Sequence, residues 1–188
     1  MNDFKNTNEV IRKFAKYVIQ QSRTNLTKKR KNVNKELYNS LSFEQKQIQD
    51  IFSLDMFMMD YGKFQDLGVR GADPSKVSKN ARFKGQQAPN SPYRFGSGSA
   101  KGTWGKFVDN LESWVSSRRI RLRDEKGRFK EGSYRTIANI IARNIYARGI
   151  RPSLFFTKPF EKAWSLFPDQ LIEAYGKDMD AEFEARIR

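Results

Sequence analysis

A short stretch near the end of the chain restricts the backbone more than any other part of the sequence. It extends from residue 149 to residue 160 and reads Gly-Ile-Arg-Pro-Ser-Leu-Phe-Phe-Thr-Lys-Pro-Phe. Each proline fixes its own φ and lacks a backbone donor, and proline is well suited to the first turn of a helix. This pattern predicts an extended arm or strand that docks on another surface, followed by a helix that Pro159 starts.

The apolar residues of this stretch are the candidates for a docking arm, a feature typical of proteins that assemble. The predicted arm consists of Pro152, Leu154, Phe155, Phe156, Pro159 and Phe160. Phenylalanine is also one of the residue types most often buried inside a domain. The alternative is therefore that Phe155 and Phe156 belong to the core of their own subunit.

Composition limits the chemistry that this chain can perform. Its 188 residues are 38% hydrophobic, with 15 Phe and 3 Trp, which is enough for one domain with a core. The chain has no Cys and no His, which excludes disulfides, thiol nucleophiles, imidazole bases and ordinary zinc sites. A metal would need carboxylates alone, and Asp50, Asp55, Asp60 and Asp66 are more typical of solvated side chains. We expect no enzymatic activity, no metal and no cofactor.

The net charge is +15, and it is unevenly distributed. The first two-thirds of the chain are basic, whereas the part from residue 152 onward has more acidic than basic residues. Such a chain could lie against nucleic acid with its basic parts or dock head to tail on copies of itself. No apolar run approaches the roughly 20 residues of a membrane span. We expect neither a signal peptide nor a membrane helix, and a protein that stays in the cytoplasm until it is assembled.

Hydrophobic periodicity predicts the elements of the first third of the chain. Apolar residues at helical spacing predict a helix over residues 8–26, with Asn8 as its cap. Alternation of apolar and polar residues then predicts a hairpin, whose strands include residues 37–43 and 52–58. Residues 72–105 are rich in Gly, Ser, Pro, Asn and Lys, which indicates a long exposed loop that is either disordered when free or ordered by a partner.

Three helices are predicted to close the chain. One spans about 103–117, and a second spans 133–148 with Ser133 as its cap and Gly149 as its stop. The third begins near Phe160, is interrupted at Pro168 and then resumes.

Two basic clusters are candidates for contact with phosphate groups, as in nucleic acid. They comprise Lys28, Lys29, Arg30 and Lys31 in the first cluster and Arg118, Arg119, Arg121, Arg123 and Arg128 in the second. Guanidinium groups bind phosphate in a bidentate manner, and the interleaved Ile120, Leu122 and Phe129 could anchor the second cluster to the core. The alternative is a solvated turn at 124–127 that is flanked by exposed charge.

Several short motifs carry a resemblance to a known family. They are a Tyr-x-x-Phe-x-Asp-x-Gly segment (Tyr61, Phe64, Asp66, Gly68), a Gly-Val-Arg-Gly segment at 68–71, a Ser-Pro-Tyr-Arg-Phe-Gly-Ser-Gly segment at 91–98 and the predicted arm. Together with the order of helix, hairpin and last helix, they resemble the tail-completion or head–tail connector proteins of tailed bacteriophages, and the neck ring proteins of crAss-like phages in particular. Two departures are Asp66, where the family often has Glu, and a segment 72–151 that is longer than the family's minimal form.

The resemblance implies a structural virion protein. Such a protein would form a homo-oligomeric ring in the phage neck, with a portal or adaptor protein above it and tail or other ring proteins below it. The ring would line or seal the DNA channel with transient, non-specific contacts to the genome, and the two basic clusters would face either the DNA or the portal protein. The arm would reach a hydrophobic slot of the neighbouring subunit. The alternative is a non-specific nucleic-acid-binding protein that acts outside the virion.

The expected fold class is α+β. A small antiparallel sheet based on the hairpin is predicted to pack against the long N-terminal helix and the C-terminal helices. Residues 1–188 are expected to form a single connector-type domain, in which 72–105 is the long exposed loop and 106–151 is an inserted helical, basic segment.

Overall fold

The computed structural model has the predicted mixture of long helices and small antiparallel sheets. It describes residues 4–29, 35–79, 81, 83–98, 103–124 and 126–187. The helices are α1 (Lys5–Lys28), α2 (Glu36–Ser40), α3 (Gly62–Leu67), α4 (Trp104–Ser117), α5 (Tyr134–Arg148), α6 (Thr157–Trp164) and α7 (Phe167–Ile187), with a 3-10 turn at Pro74–Lys76. The strands are β1 (Ser42–Ile48), β2 (Ile51–Phe57), β3 (Val69–Arg70), β4 (Leu122–Arg123), β5 (Phe129–Lys130) and β6 (Gly149–Ile150). The α+β fold class is confirmed.

The chain divides into two compact units. Unit 1 consists of Met1–Gly62 and Leu154–Arg188, and unit 2 consists of Lys63–Ser153. Unit 1 therefore joins the two ends of the chain, and unit 2 is a continuous insertion between them. The expectation of a single domain over 1–188 stays a prediction.

Unit 1 is organised around α1. One face of this helix carries Ile11, Phe14 and Val18, which pack with Phe167 at the start of α7. On a neighbouring row of the helix, Ile19 and Leu26 pack with other buried residues, namely Leu37, Leu41 and Phe155. Spacings of three and four residues in the first row, and of seven in the second, keep each row in line along the helix, and together the two rows form the apolar face that the sequence pattern predicts.

The hairpin of unit 1 follows α2 and differs from the prediction in its first strand. Residues 37–43 were expected to be extended, but most of them form α2, because Leu37 and Leu41 are four residues apart and are both buried. Strand β1 pairs with β2 from Ser42↔Phe57 to Ile48↔Ile51. The alternation of half-buried and exposed residues predicted for the second strand is confirmed, with burial alternating along all of β2.

The inner face of β1 is polar, which explains why its sequence did not indicate a strand. Gln45 donates from Nε2 to Asn8 Oδ1 at 2.6 Å, and Asn8 donates from Nδ2 to Gln47 Oε1 at 2.7 Å. These hydrogen bonds pair polar side chains of β1 with α1, although Gln45 Oε1 is buried without a partner, so the strand alternates in burial without alternating in polarity. Asn8 lies inside α1 and does not cap it, contrary to the prediction.

The cap of α1 comes from the other end of the chain. The buried Asp178 in α7 accepts hydrogen bonds from the backbone N–H of Asn6 at 3.1 Å and of Thr7 at 2.8 Å, and from the Thr7 hydroxyl at 2.7 Å. Burial by itself would raise the pKa of Asp178, but the hydrogen bonds from Thr7 and Asn6 outweigh it and hold the pKa of this carboxyl below its usual value. The carboxylate also lies at the positive end of the α1 dipole.

The C-terminal helices begin earlier than predicted. Helix α6 starts at Thr157, so Pro159 lies within its first turn, and the break before α7 falls at Ser165 and Leu166 and not at Pro168. Proline is tolerated in the first turn of a helix, because the backbone N–H that it lacks would have no acceptor within the helix there. Pro168 is therefore part of the start of α7.

Unit 2 contains a helical pair and two very short sheets. Helices α4 and α5 pack through Val108, Val115, Ile137, Ala138 and Ala142, which form their own buried cluster. The side chains of Thr103 and Ser133 accept hydrogen bonds from the third residue after each of them, so the predicted cap of α5 is confirmed. Strand β3 pairs with β6, and β4 pairs with β5, both antiparallel.

We predict that Asp178→Ala lowers the free energy of unfolding at neutral pH by about 1–3 kcal/mol, because it leaves buried donors at the start of α1 without a partner. Urea denaturation followed by circular dichroism measures this change, with the exposed Asp180→Ala on the same helix as the control. The folded-state pKa of Asp178 is lowered, so its contribution is present above the unfolded value of about 3.9 and is lost as the pH falls through the folded value. If the difference in the free energy of unfolding between Asp178→Ala and wild type does not become smaller below about pH 4, the result would contradict the role of Asp178 as the cap.

Candidate interaction surfaces

Three of the motif segments meet in unit 2, although they are far apart in the sequence. Strand β3, within the 68–71 segment, pairs with β6 at the start of the 149–160 stretch. The 91–98 segment joins the other side of β3, because Arg70 N–H donates to Tyr93 O at 2.8 Å and Phe95 N–H donates to Arg70 O at 2.9 Å. The Ser91 hydroxyl donates to Gly68 O at 2.7 Å. We name this meeting point of β3, β6 and residues 91–95 the motif junction. It is held together mainly by hydrogen bonds of backbone groups.

Two glycines are required at the motif junction. Gly68 and Gly149 have φ values of +73° and +93°, which residues with side chains rarely adopt. A Cβ atom at Gly68 would lie 2.5 Å from Ile150 O, and one at Gly149 would lie 2.2 Å from Val69 O. The positive φ values and the close backbone contacts therefore both exclude a side chain at these positions, which explains why both motif positions are glycine.

The remaining residues of the Tyr-x-x-Phe-x-Asp-x-Gly segment fall in both units. Tyr61 is exposed at the end of unit 1, and partial burial, together with the charge of Glu36, raises its pKa. In unit 2, the ring of Phe64 meets that of Tyr93 edge to face, with centroids 4.7 Å apart. Asp66 is buried. Phe64 thus connects this segment to the 91–98 segment, which the sequence alone did not indicate.

The predicted arm is largely occupied by its own chain. Phe155 is 0% exposed and lies in the core of unit 1 with Leu26 and Leu37, and its carbonyl accepts a hydrogen bond from Asn25 Nδ2 at 3.3 Å. Pro159 is also buried, whereas Pro152, Leu154, Phe156 and Phe160 are half-buried. Phe160 stacks on Trp164 with centroids 5.7 Å apart. The interface role of the arm stays a prediction, and Phe155 has no exposed surface to offer to a neighbour.

The second basic cluster extends from the end of α4 into the β4–β5 hairpin of unit 2, which we name the basic hairpin. All five of its arginines are exposed, namely Arg118, Arg119, Arg121, Arg123 and Arg128. The Arg123 guanidinium lies over the exposed Phe129 ring at 4.3 Å, and the Arg121 guanidinium lies over the same ring at 5.6 Å. Gly127 N–H donates to Asp124 O at 3.0 Å, as in the predicted turn, and Arg128 is paired with Asp124 at 3.0 Å. Ile120 and Leu122 pack against the α4–α5 cluster as expected, but Phe129, the third expected anchor, is 62% exposed and covers the arginines and not the core.

The first basic cluster is described only in part. Lys28 and Lys29 are exposed at the end of α1. Arg30 and Lys31 lie outside the described residues.

A groove beside the end of α1 was not predicted from the sequence. It has a volume of about 910 Å³ and lies between α1, α2 and the start of β1. Lys16, Arg23 and Lys28 line it, together with the apolar surface of Tyr38 and Phe43. Arg23 is held in place because its Nε and one Nη donate to the carbonyls of residues 38 and 41 at 3.1 and 2.9 Å. Three separate elements build this groove, so no local pattern could have indicated it.

A smaller aromatic cavity lies in unit 2. It has a volume of about 500 Å³, and its lining includes Phe95, Trp104, Phe107 and Tyr146. The ring of Trp104 meets that of Tyr146 edge to face at 5.9 Å, and the ring of Phe95 lies 5.5 Å from that of Tyr146. These contacts connect α4 and α5 to the 91–98 segment.

The described residues contain neither a cluster of metal ligands nor a helix able to span a membrane. Among the described residues, no three carboxylates come together as ligands for a metal ion would. In the same part of the chain, none of the helices combines the length and apolar character that a membrane span requires.

Comparison with known proteins identifies no relative. No protein-family model, no curated protein and no solved structure matches the chain. The resemblance to head–tail connector proteins therefore depends on the short motifs and on the order of elements alone.

We predict that Phe155→Ala lowers the free energy of unfolding by about 3–5 kcal/mol, because it leaves a cavity in the core of unit 1. Chemical denaturation measures the change, and Ile172→Ala, at an exposed position of the same unit, is the control with an expected change within about 0.5 kcal/mol. An unchanged stability combined with a loss of self-association would instead assign Phe155 to an interface between subunits.

Proposed function

We propose that this chain is a structural protein of the phage neck, which forms a homo-oligomeric ring between the portal and the tail around the DNA channel. The proposal is supported by the motif segments, which resemble those of head–tail connector proteins and come together at the motif junction. It is also supported by the order of the elements, in which the first and last helices of the chain pack in one unit with a hairpin. No catalytic role is assigned to any residue.

The observation that carries the proposal is the exposed β1–β2 hairpin. Within the described residues, the two strands pair with each other and neither has a second partner, so each presents an open edge. At the tip, Ile48 and Ile51 pair with each other and are 70% and 71% exposed. Open edges and apolar tips favour association with another chain, and natural monomers normally protect them. A ring of identical subunits would cover both.

The basic hairpin of unit 2 is consistent with a DNA channel. Its arginines are exposed, with the guanidinium groups of Arg121 and Arg123 over the Phe129 ring and Arg128 paired with Asp124. Such groups contact phosphates without reading bases. A channel through which DNA slides requires contacts of this weak, non-specific kind.

The same basic hairpin favours a second candidate function, a non-specific nucleic-acid-binding protein outside the virion. Exposed arginines beside an exposed aromatic ring also suit phosphate and base contacts in a dedicated binder. The two functions differ in their response to salt. A dedicated binder loses DNA affinity steeply as salt rises and does not need to assemble, whereas a ring component assembles and binds DNA weakly.

The experiment that tests the proposal is mass measurement by light scattering and negative-stain imaging, at low and high salt, with and without a short DNA duplex. We expect discrete rings for the wild type. The double variant Ile48→Lys and Ile51→Lys is expected to keep its circular dichroism spectrum and to lose the rings, because charge at the tip opposes burial. Ile140→Lys, at an exposed apolar position of unit 2, is the control. Tight stoichiometric binding of DNA by a chain that does not assemble would support the second candidate instead.

A further inference from the structure

The last part of α7, residues 180–187, extends beyond the body of unit 1, and we name it the α7 end. Asp178 is the last buried residue of the helix, and the residues from 180 to 187 are exposed or half-buried. Phe183 and Ile187 lie four residues apart on one face and are 59% and 85% exposed. Apart from Glu182, whose side chain is only 17% exposed, these two turns of helix bury little surface, and two large apolar side chains on them indicate a partner surface.

This helix end is also acidic. Asp180 and Glu184 are exposed, and they lie four residues apart, beside Phe183. Glu182 forms an ion pair with Arg186 on the same turn. A partner for this surface should therefore offer an apolar floor with basic side chains at its rim.

The groove beside α1 has these properties. Its floor includes the half-buried Tyr38 and Phe43, and its rim carries Lys16 and Lys28, with Arg23 between them. Among the described residues that line it, none is acidic. The basic rim of the groove is thus complementary to the acidic residues of the α7 end, and its apolar floor is complementary to Phe183 and Ile187.

The groove and the α7 end lie at opposite ends of unit 1, because α1 and α7 are antiparallel. Asp178 contacts the start of α1, and Phe167, eleven residues earlier in the chain, packs on Phe14 with ring centroids 4.3 Å apart. The groove begins near Lys16 and reaches Lys28. A helix rises about 1.5 Å per residue, so Arg23 lies about 25 Å along α1 from the residues that contact Asp178. The α7 end therefore lies far from the groove of its own unit.

We propose that the α7 end of one copy docks into the groove beside α1 of the next copy. Phe183 and Ile187 cover the apolar floor, and Asp180 and Glu184 face Lys16 and Lys28. This contact is heterologous, since it joins two different surfaces, and it produces a closed ring when the rotation between copies closes. The inference deepens the proposed function and rests on it for the closure of the ring. Docking itself is testable on the free chain.

A charge exchange tests the docking. The variant with Asp180→Lys and Glu184→Lys, and the variant with Lys16→Glu and Lys28→Glu, are each expected to weaken self-association at least about tenfold in sedimentation velocity at low salt. In each variant alone, like charges face each other across the contact and repel. An equimolar mixture of the two variants is expected to associate again, because each α7 end then meets a groove of the opposite charge. The control is Lys126→Glu with Lys130→Glu, exposed positions of unit 2, and circular dichroism checks the folding of every variant.

The possible results separate the docking from the ring. Rings that persist in both variants would overturn the docking and leave the proposed function intact, and the groove would then suit a different acidic partner. Open chains of indefinite length, lost in each variant and restored in the mixture, would support the docking and contradict the ring. A wild-type chain that stays monomeric at about 1 mM, or a mixture that does not associate, would overturn the docking.

Discussion

The antiparallel packing of α1 against α7, fixed by the carboxylate of Asp178, is the constraint on which unit 1 depends. It brings the two ends of the chain together, satisfies the first backbone N–H groups of α1 and sets the register in which Phe14 meets Phe167. Because the two helices are antiparallel, the exposed end of α7 and the groove beside α1 lie at opposite ends of the unit. A single packing arrangement thus creates both the core and two surfaces of opposite charge.

The helices whose patterns are local could be predicted from the sequence. For α4 and α5, the apolar spacing and the cap residues lie within the helix or beside it, and both helices form where expected. The same holds for the turn of the basic hairpin. The first strand was misplaced because Leu37 and Leu41 fit an alternating pattern and a helical one equally well over so short a run, and because the true strand turns polar glutamines toward α1.

What the sequence could not indicate depends on contacts between distant residues. The cap of α1 comes from the opposite end of the chain, and the groove is built by three elements. The motif junction shows the reverse case, in which short glycine segments were visible in the sequence and their meeting was not. For the predicted arm, two prolines and three phenylalanines predicted an extended path, but the chain turns at Phe155 and Phe156 and enters α6 at Thr157. Local pattern also does not distinguish a chain's own core from that of a neighbour, and Phe155 lies in its own.

The central claim is that identical subunits join head to tail through the α7 end and close into a ring. The chain has no cysteine, so a variant with Gln20→Cys in the groove and Phe183→Cys on α7 has only these two thiols. Mild oxidation links two cysteines only when their Cα atoms come within about 7 Å, and within one unit these two positions lie far apart. On a non-reducing gel, the account predicts a ladder of covalent oligomers that ends at one discrete size. A product that remains monomeric, or a ladder without a limit, would contradict it.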